Sequence, residues 1–324
     1  MRVVFLGTSD FAVPTLKALA ASSHAPSLVV TQPDRPSGRG RKLQQSPVKE
    51  AALALGIPVF QPERVNTPEA RAEISRHQPD VIVLVSFGQI LKPKLLNLPP
   101  HGCLNIHGSL LPRHRGASPV QATLLAGDDE AGVTLMRMDP GLDTGPIALA
   151  ASTRVEAGET AAHLHDRLAL LGAELAVRGL DALAAGRLEF LPQPEVGVTH
   201  CGLIDKKDGA IDFELDAVAV DRHIRAMTTW PGAQADLVRA SAPLRVTIEA
   251  ASIDRSDRSG TPGTILEVSK AGLVVACGRG ALRILALKPQ GKRSMPVADF
   301  LNGYPVAVGD RLLKPASNEA PESA

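Results

Sequence analysis

Aromatic residues are scarce in this chain, with one Trp, one Tyr and seven Phe among 324 residues, or 3%. Its cores must therefore be built from Leu, Val, Ile and Ala. A hydrophobic content of 44% supplies enough of these to exclude a disordered chain. Cysteine is nearly absent. Cys103, Cys201 and Cys277 stand far apart and are odd in number, which fits reduced thiols in a cytoplasmic protein better than a disulfide framework. No apolar run approaches the roughly 18–20 residues of a membrane span. The stretch 3–7, directly after Arg2, is too short for a secretory signal and reads as a buried strand. Charge of one sign is also lacking, since the net value is +1. Residues 207–314 carry 15 Lys and Arg against 12 Asp and Glu, whereas residues 1–206 carry 20 of each. That mild excess is a weak pointer to a polyanionic partner, and taken alone ordinary surface charge explains it better.

The length calls for two domains. Up to about residue 190, short apolar runs alternate with helical patterns. Strands are expected at 3–6, 27–31, 57–60, 81–85, 103–107 and 133–138, and helices at 11–21, 46–56, 67–77 and 161–185. Such alternation predicts an α/β fold of Rossmann-like type, a mostly parallel sheet with ligands beyond the carboxyl ends of its strands. Leu191-Pro192-Gln193-Pro194 cannot continue a helix, and 191–208 reads as a linker. One helix is expected at 216–227. Short strands follow at 235–238, 244–253, 264–268, 273–276 and 282–287, the spacing of a smaller OB-like β-barrel over 209–314. The tail 315–324, rich in Pro, Ser, Ala and Glu, is expected to be disordered.

Chemistry concentrates in Cys103-Leu104-Asn105-Ile106-His107-Gly108-Ser109-Leu110-Leu111-Pro112. Residues two apart on a strand share a face, so Asn105 and His107 point together at the strand's carboxyl end. Asp143 lies in a second polar loop, Asp139-Pro140-Gly141-Leu142-Asp143-Thr144-Gly145, which its glycines allow to turn sharply. A satisfied half-buried pair and a plain Asp-Gly turn are the bland alternatives. Together the three suit acyl transfer without a covalent intermediate. An amine attacking a formyl carbonyl gives a tetrahedral oxyanion, to which the Asn105 amide and a protonated His107 can donate. A neighbouring carboxylate favours the charged ring, and Asp143 can accept the proton shed by the amine.

The segments 105–112 and 141–145 resemble the signature of the folate-dependent formyltransferases. That family includes enzymes acting on sugars, glycinamide ribonucleotide and methionyl-tRNA, together with formyltetrahydrofolate hydrolases. The resemblance implies a catalytic trio of Asn105, His107 and Asp143. It also implies a pocket for 10-formyltetrahydrofolate, as co-substrate, lined by Phe87, Gln89, Ile90 and Leu91, by Ser109, Leu110, Leu111 and Pro112, and by Met138, Asp139 and Leu142. No metal is expected. His163 and His165 diverge around a helix, and His200-Cys201 has no partner pair at zinc spacing.

Two features bear on the acceptor. Residues 31–43 form a Gly-, Pro- and Arg-rich loop, which taken alone is either a solvated loop or a contact for RNA phosphates. Its wording is similar to the acceptor-stem loop of the methionyl-tRNA branch of the family. The resemblance places Arg39 in the acceptor stem, with Arg35, Arg41 and Lys42 supporting it. The segments 230–233, 262–265 and 290–293 resemble that branch's carboxyl-terminal barrel, and Lys206, Lys207 and Arg293 become candidate phosphate contacts. Ser9, His114 and Thr228-Thr229 depart from the family's usual residues. The expectation is a cytoplasmic monomer, without membrane attachment, acting on initiator methionyl-tRNA. The alternatives are a small-molecule formyltransferase, a formyltetrahydrofolate hydrolase with the same trio, and a non-catalytic RNA binder; the intact trio argues against the last.

Overall fold

A computed structural model describes residues 1–37, 42–239, 242–256 and 258–315. It divides into two compact units. The first comprises Met1–Pro119, Asp129–Val155 and Leu164–Gly202, and the second Val120–Asp128, Glu156–His163 and Leu203–Ala324. No helix among the described residues is long and apolar enough to cross a membrane.

The first unit runs β1 (Val3–Gly7), α1 (Val13–Ala20), β2 (Pro26–Val30), β3 (Arg35–Ser37), β4 (Lys42–Gln44), α2 (Pro47–Ala54), β5 (Val59–Phe60), α3 (Pro68–Arg76), β6 (Val81–Val85), α4 (Pro93–Leu96), β7 (Cys103–His107) and β8 (Arg115–Gly116). After α5 (Pro119–Ala126), most of which clusters with the second unit, come β9 (Glu130–Arg137), β10 (Ile147–Arg154), α6 (Ala161–Ala184) and β11 (His200–Cys201). A seven-stranded sheet has the order β10-β9-β7-β6-β1-β2-β5. Strands β5, β2, β1, β6 and β7 are parallel, β9 runs antiparallel to β7, and β10 antiparallel to β9. The expected mostly parallel sheet is thus present, with an antiparallel pair at one edge. Strand β10 had no counterpart among the expected strands, because its Ala-rich sequence lacks the β-branched enrichment that marks one.

The chain moves from β1 outward to β2 and β5, then returns to the other side of β1 for β6 and β7. A crevice opens at such a reversal, and ligands of doubly wound sheets bind there. The loops after β1 and β6 are tied at that point. The Thr8 amide donates to the Ser86 carbonyl at 3.1 Å and the Thr8 hydroxyl to the Phe87 carbonyl at 2.8 Å.

Both faces of the sheet are covered. On one, Val4, Leu6, Leu28, Val30, Ile82 and Leu84 pack with Ile74 of α3 and Leu95 and Leu96 of α4. On the other, α6 lies close to β7 and β9. A Cβ added to Gly172 would meet Ile106 Cγ2 at 2.9 Å, and one added to Gly179 would meet Leu135 Cδ2 at 2.1 Å. Two glycines seven residues apart recur on one helix face and permit this approach.

The second unit holds α7 (Ala217–Met227), β12 (Ala233–Val238), β13 (Leu244–Asp254), β14 (Ile265–Ser269), β15 (Gly272–Ala276), β16 (Ala281–Pro289), β17 (Met295–Pro296), α8 (Val297–Gly303) and β18 (Arg311–Leu313). Its antiparallel sheet follows the order β14-β15-β16-β13-β12-β18, with β17 paired to β16. The sheet curls until its edges meet: Ile265 N–H donates to the Asp310 carbonyl at 2.8 Å and Leu312 N–H to the Gly263 carbonyl at 2.7 Å. Edge strands joined in this way offer no free ladder to another chain. Helix α7 is capped by the Asp216 carboxylate, which accepts from Ala219 N–H at 2.8 Å, and it buries Val220, Ile224 and Met227 at helical spacing.

Candidate active site

Strand β7 brings Cys103, Asn105 and His107 along one face of the sheet. Cys103 belongs to the apolar cluster under α3 and α4. Further along the same face, at the carboxyl end, the amide and the imidazole replace apolar packing, and both are buried. The His107 Nε2–H donates to the His114 carbonyl at 2.9 Å. A carbonyl can only accept, so Nε2 carries a hydrogen. The other ring nitrogen, Nδ1, faces Asp143 Oδ2 at 3.7 Å, while Asp143 Oδ1 stands 3.5 Å from Asn105 Nδ2. One carboxylate thus addresses both polar residues of β7. The distances are at or beyond the limit of a good hydrogen bond, which leaves the donors free to turn to a substrate oxygen.

Asp143 sits in left-handed backbone at φ 53°, a conformation that costs most side chains about 1 kcal/mol and that Asp tolerates best with Asn. Several bonds hold it there. The Asp139 carboxylate accepts from Gly141 N–H at 3.0 Å and from the Thr144 hydroxyl at 2.7 Å. The Gln193 amide donates to the carbonyls of Asp143 and Gly145, each at 2.8 Å. Gly116 N–H donates to Asp143 Oδ2 at 2.8 Å. Gly116 itself has φ 121°, and a Cβ there would lie 2.0 Å from the Cys201 carbonyl oxygen. Only glycine fits where β8 pairs with β11. The same pairing sets His114, whose N–H donates to Thr199 Oγ1 at 2.8 Å. Burial, helped by the charge of Asp143, pushes the Cys201 thiol up, so this neighbour is no thiolate nucleophile.

Residues 1–180 match the family described as formyl transferase, and residues 203–305 match its formyl transferase, C-terminal domain. The chain belongs to the formyl transferase family. Its relatives include the methionyl-tRNA formyltransferase of Methylococcus capsulatus, 48% identical over 96% of this chain and 99% of that one. The methionyl-tRNA formyltransferase of Xanthomonas campestris pv. campestris is 49% identical, over 93% of this chain and 97% of that one. Among solved structures, an N-formyltransferase from Helicobacter canadensis in complex with folinic acid and dTDP-3-aminofucose shares the fold. Its TM-score is 0.64 at 17% identity, covering 88% of this chain and 98% of that one.

In this formyltransferase the residues expected to line a pterin pocket fall into four groups. Phe87 and Leu91 are packed into the apolar cluster, with Met138 against its edge. Gln89, Ser109 and Asp139 spend their side chains locally. Gln89 accepts from Val65 N–H at 2.8 Å, and Ser109 donates to the Arg113 carbonyl at 2.6 Å. Leu111 is buried, and Leu110 packs over Gly132 of β9. Ile90 and Leu142 instead show 80% and 61% of their surface, with Pro112 half-buried. These are the apolar groups free to meet a ligand ring. A separate cavity of about 350 Å³ opens between Phe60, Pro62 and Arg64 and the start of α3, and no member of the trio lines it.

The cationic residues are placed less uniformly. Arg35 pairs with Glu63 at 2.7 Å. Arg39 and Arg41 lie outside the described residues, and Lys42 is placed only by its backbone in β4. The base of that loop is pinned, since Asp34 accepts from Lys49 at 2.6 Å and from Gln61 at 2.7 Å, bonds that hold its carboxyl below the usual range. Lys206 and Lys207 are exposed on a short turn capped by Asp205, and Lys207 reaches that carboxylate at 3.3 Å. Arg293 is exposed between β16 and β17. Among the described residues no group of three His, Cys, Asp or Glu side chains is placed to hold a metal ion. The residues that sequence reasoning missed are Gly116 and Gln193, which bond to Asp143, and Thr199, which bonds to His114.

Proposed function

We propose that the chain transfers the formyl group of 10-formyltetrahydrofolate to the α-amine of methionine esterified to initiator tRNA, acting as a monomer in the cytoplasm. The observation that carries this is the length and level of the kinship, 48% identity over nearly the whole of a methionyl-tRNA formyltransferase, second domain included. Residues 1–190 carry out the transfer. Residues 209–314, with the linker 191–208 and the loop around Arg35, Arg39, Arg41 and Lys42, hold the tRNA; Lys206, Lys207 and Arg293 contact its phosphates.

The folate supplies an activated formyl carbon. Ile90, Leu142 and Pro112 offer apolar edges for its ring. Asn105 donates its amide N–H to the oxygen that gains charge as the amine adds, and His107 donates from Nδ1 when that nitrogen is protonated. The His114 carbonyl fixes the ring through Nε2, so this donation needs no reorientation. Asp143, 3.7 Å from His107 Nδ1, accepts the proton leaving the amine, directly or through water; as the tetrahedral adduct collapses, the carbon–N10 bond breaks and that proton passes to N10 of the departing tetrahydrofolate. Holding amine and donor together supplies much of the remaining acceleration.

The test supplies 10-formyltetrahydrofolate with labelled formyl and offers methionyl-initiator tRNA, an amino sugar nucleotide, or water alone. Label is expected on the tRNA. Label transferred to the sugar, or released as formate at equal rates with and without tRNA, would replace this reading by one of its relatives.

A further inference from the structure

Gln193 lies 50 residues beyond Asp143, in a Pro-flanked stretch that carries no helix or sheet of its own. Its side-chain amide is nonetheless fully used. Nε2 donates one hydrogen to the Asp143 carbonyl and the other to the Gly145 carbonyl, both at 2.8 Å. Oε1 accepts from Arg115 Nε at 3.1 Å and from Arg115 Nη2 at 2.7 Å. An amide offers two donors and two acceptor sites, so nothing is left over for solvent or substrate. The geometry points to Gln193, granted the role proposed for Asp143 above, as a positioning residue for the carboxylate. It fastens the Asp143 backbone in its left-handed turn. Through Arg115 it ties that turn to β8, whose Gly116 N–H is accepted by the same carboxylate at 2.8 Å. Both the main chain and the side chain of Asp143 are thereby referred to one frame, and its aim at His107 and Asn105 depends on that frame.

Three substitutions separate hydrogen bonding from packing. Gln193→Glu keeps the size and strengthens the hold on Arg115, but sets an acceptor against two carbonyls. Gln193→Met fills the same volume with no hydrogen bonds, and Gln193→Ala removes both. All three, made in the full chain, are expected to lower kcat for methionyl-tRNA formylation by about 10- to 100-fold, as misplacement of a catalytic group by around 1 Å does. KM for both substrates is expected to stay within about threefold. In an Asp143→Asn background, read by single turnover with excess enzyme, adding Gln193→Ala is expected to cost less than about threefold, because the group it positions is gone. Native kcat in the Glu and Met variants would overturn the assignment, as would a full further loss in the Asp143→Asn background. Failure of the reading beneath it shows separately, as a native rate in Asp143→Asn alone.

Discussion

His107 has one nitrogen committed to the His114 carbonyl and the other turned to Asp143, and that division sets the first prediction. Asp143→Asn keeps an acceptor for the Gly116 N–H and the shape of the turn, but removes the charge. The expected loss is on the order of 10²–10³ in the single-turnover formylation rate, with both substrates still bound. A rate within a few fold of native would end the assignment of the trio. The cysteines give a prediction independent of catalysis. Burial pushes Cys103 up from 9.0 to about 12, and Cys277 likewise to about 12 with Asp216 contributing. At pH 8 each is a thiolate in about one molecule in 10⁴, so a thiol reagent is expected to leave both intact until the chain unfolds. The same shifts carry a pH dependence. A thiol whose pKa is raised by folding stabilises fully below its unfolded value and loses that contribution as pH climbs through its folded value. Denaturation midpoints are therefore expected to fall between about pH 9 and 12, and Cys277→Ala is expected to flatten the fall.

Among the elements, the pairing of β8 with β11 is the most exacting. Gly116→Ala would place a methyl 2.0 Å from the Cys201 carbonyl in a backbone conformation reserved for glycine. Roughly 2–4 kcal/mol of stability is expected to be lost, read as a lowered denaturant midpoint. Activity should fall as well, since the Gly116 N–H holds Asp143. Neither β8 nor β11 was legible in the sequence. Each is two residues long, too short for any periodicity to register, and 85 residues separate their members. By contrast β6 and β7 were legible to the residue, β6 as a continuous apolar run and β7 as an alternating stretch ended by Gly108. The convergence of Asn105 with His107 followed from strand alternation alone. The approach of Asp143 rested on the glycines around it and on family resemblance. What escaped were Gln193, which holds Asp143, and Thr199, which holds His114, since their bonds cross the fold and leave no local pattern.

Across the molecule, charge is nearly balanced, and this limits how an acidic partner can be held. The chain's net charge is +1, and residues 207–314 exceed neutrality only by 15 cations against 12 anions. Capture of tRNA must then rest on a few placed cations rather than on a broad field. If all seven cations proposed for tRNA each met one phosphate, the logarithm of affinity would fall with the logarithm of salt at a slope of about −6. Arg35 and Lys207 are already paired with Glu63 and Asp205, so their gain on binding is an exchange of partners and counts for less. The reciprocal of the KM for methionyl-tRNA, at rate-limiting chemistry, is therefore expected to fall with a slope between about −2 and −5, with the KM of folate nearly flat. Lys206→Ala with Lys207→Ala is expected to make the slope shallower by between one and about 2, the smaller change if Lys207 keeps its partner. A double variant with an unchanged slope would show that these two lysines face solvent in the complex, and would move the burden of recognition to the loop that carries Arg39.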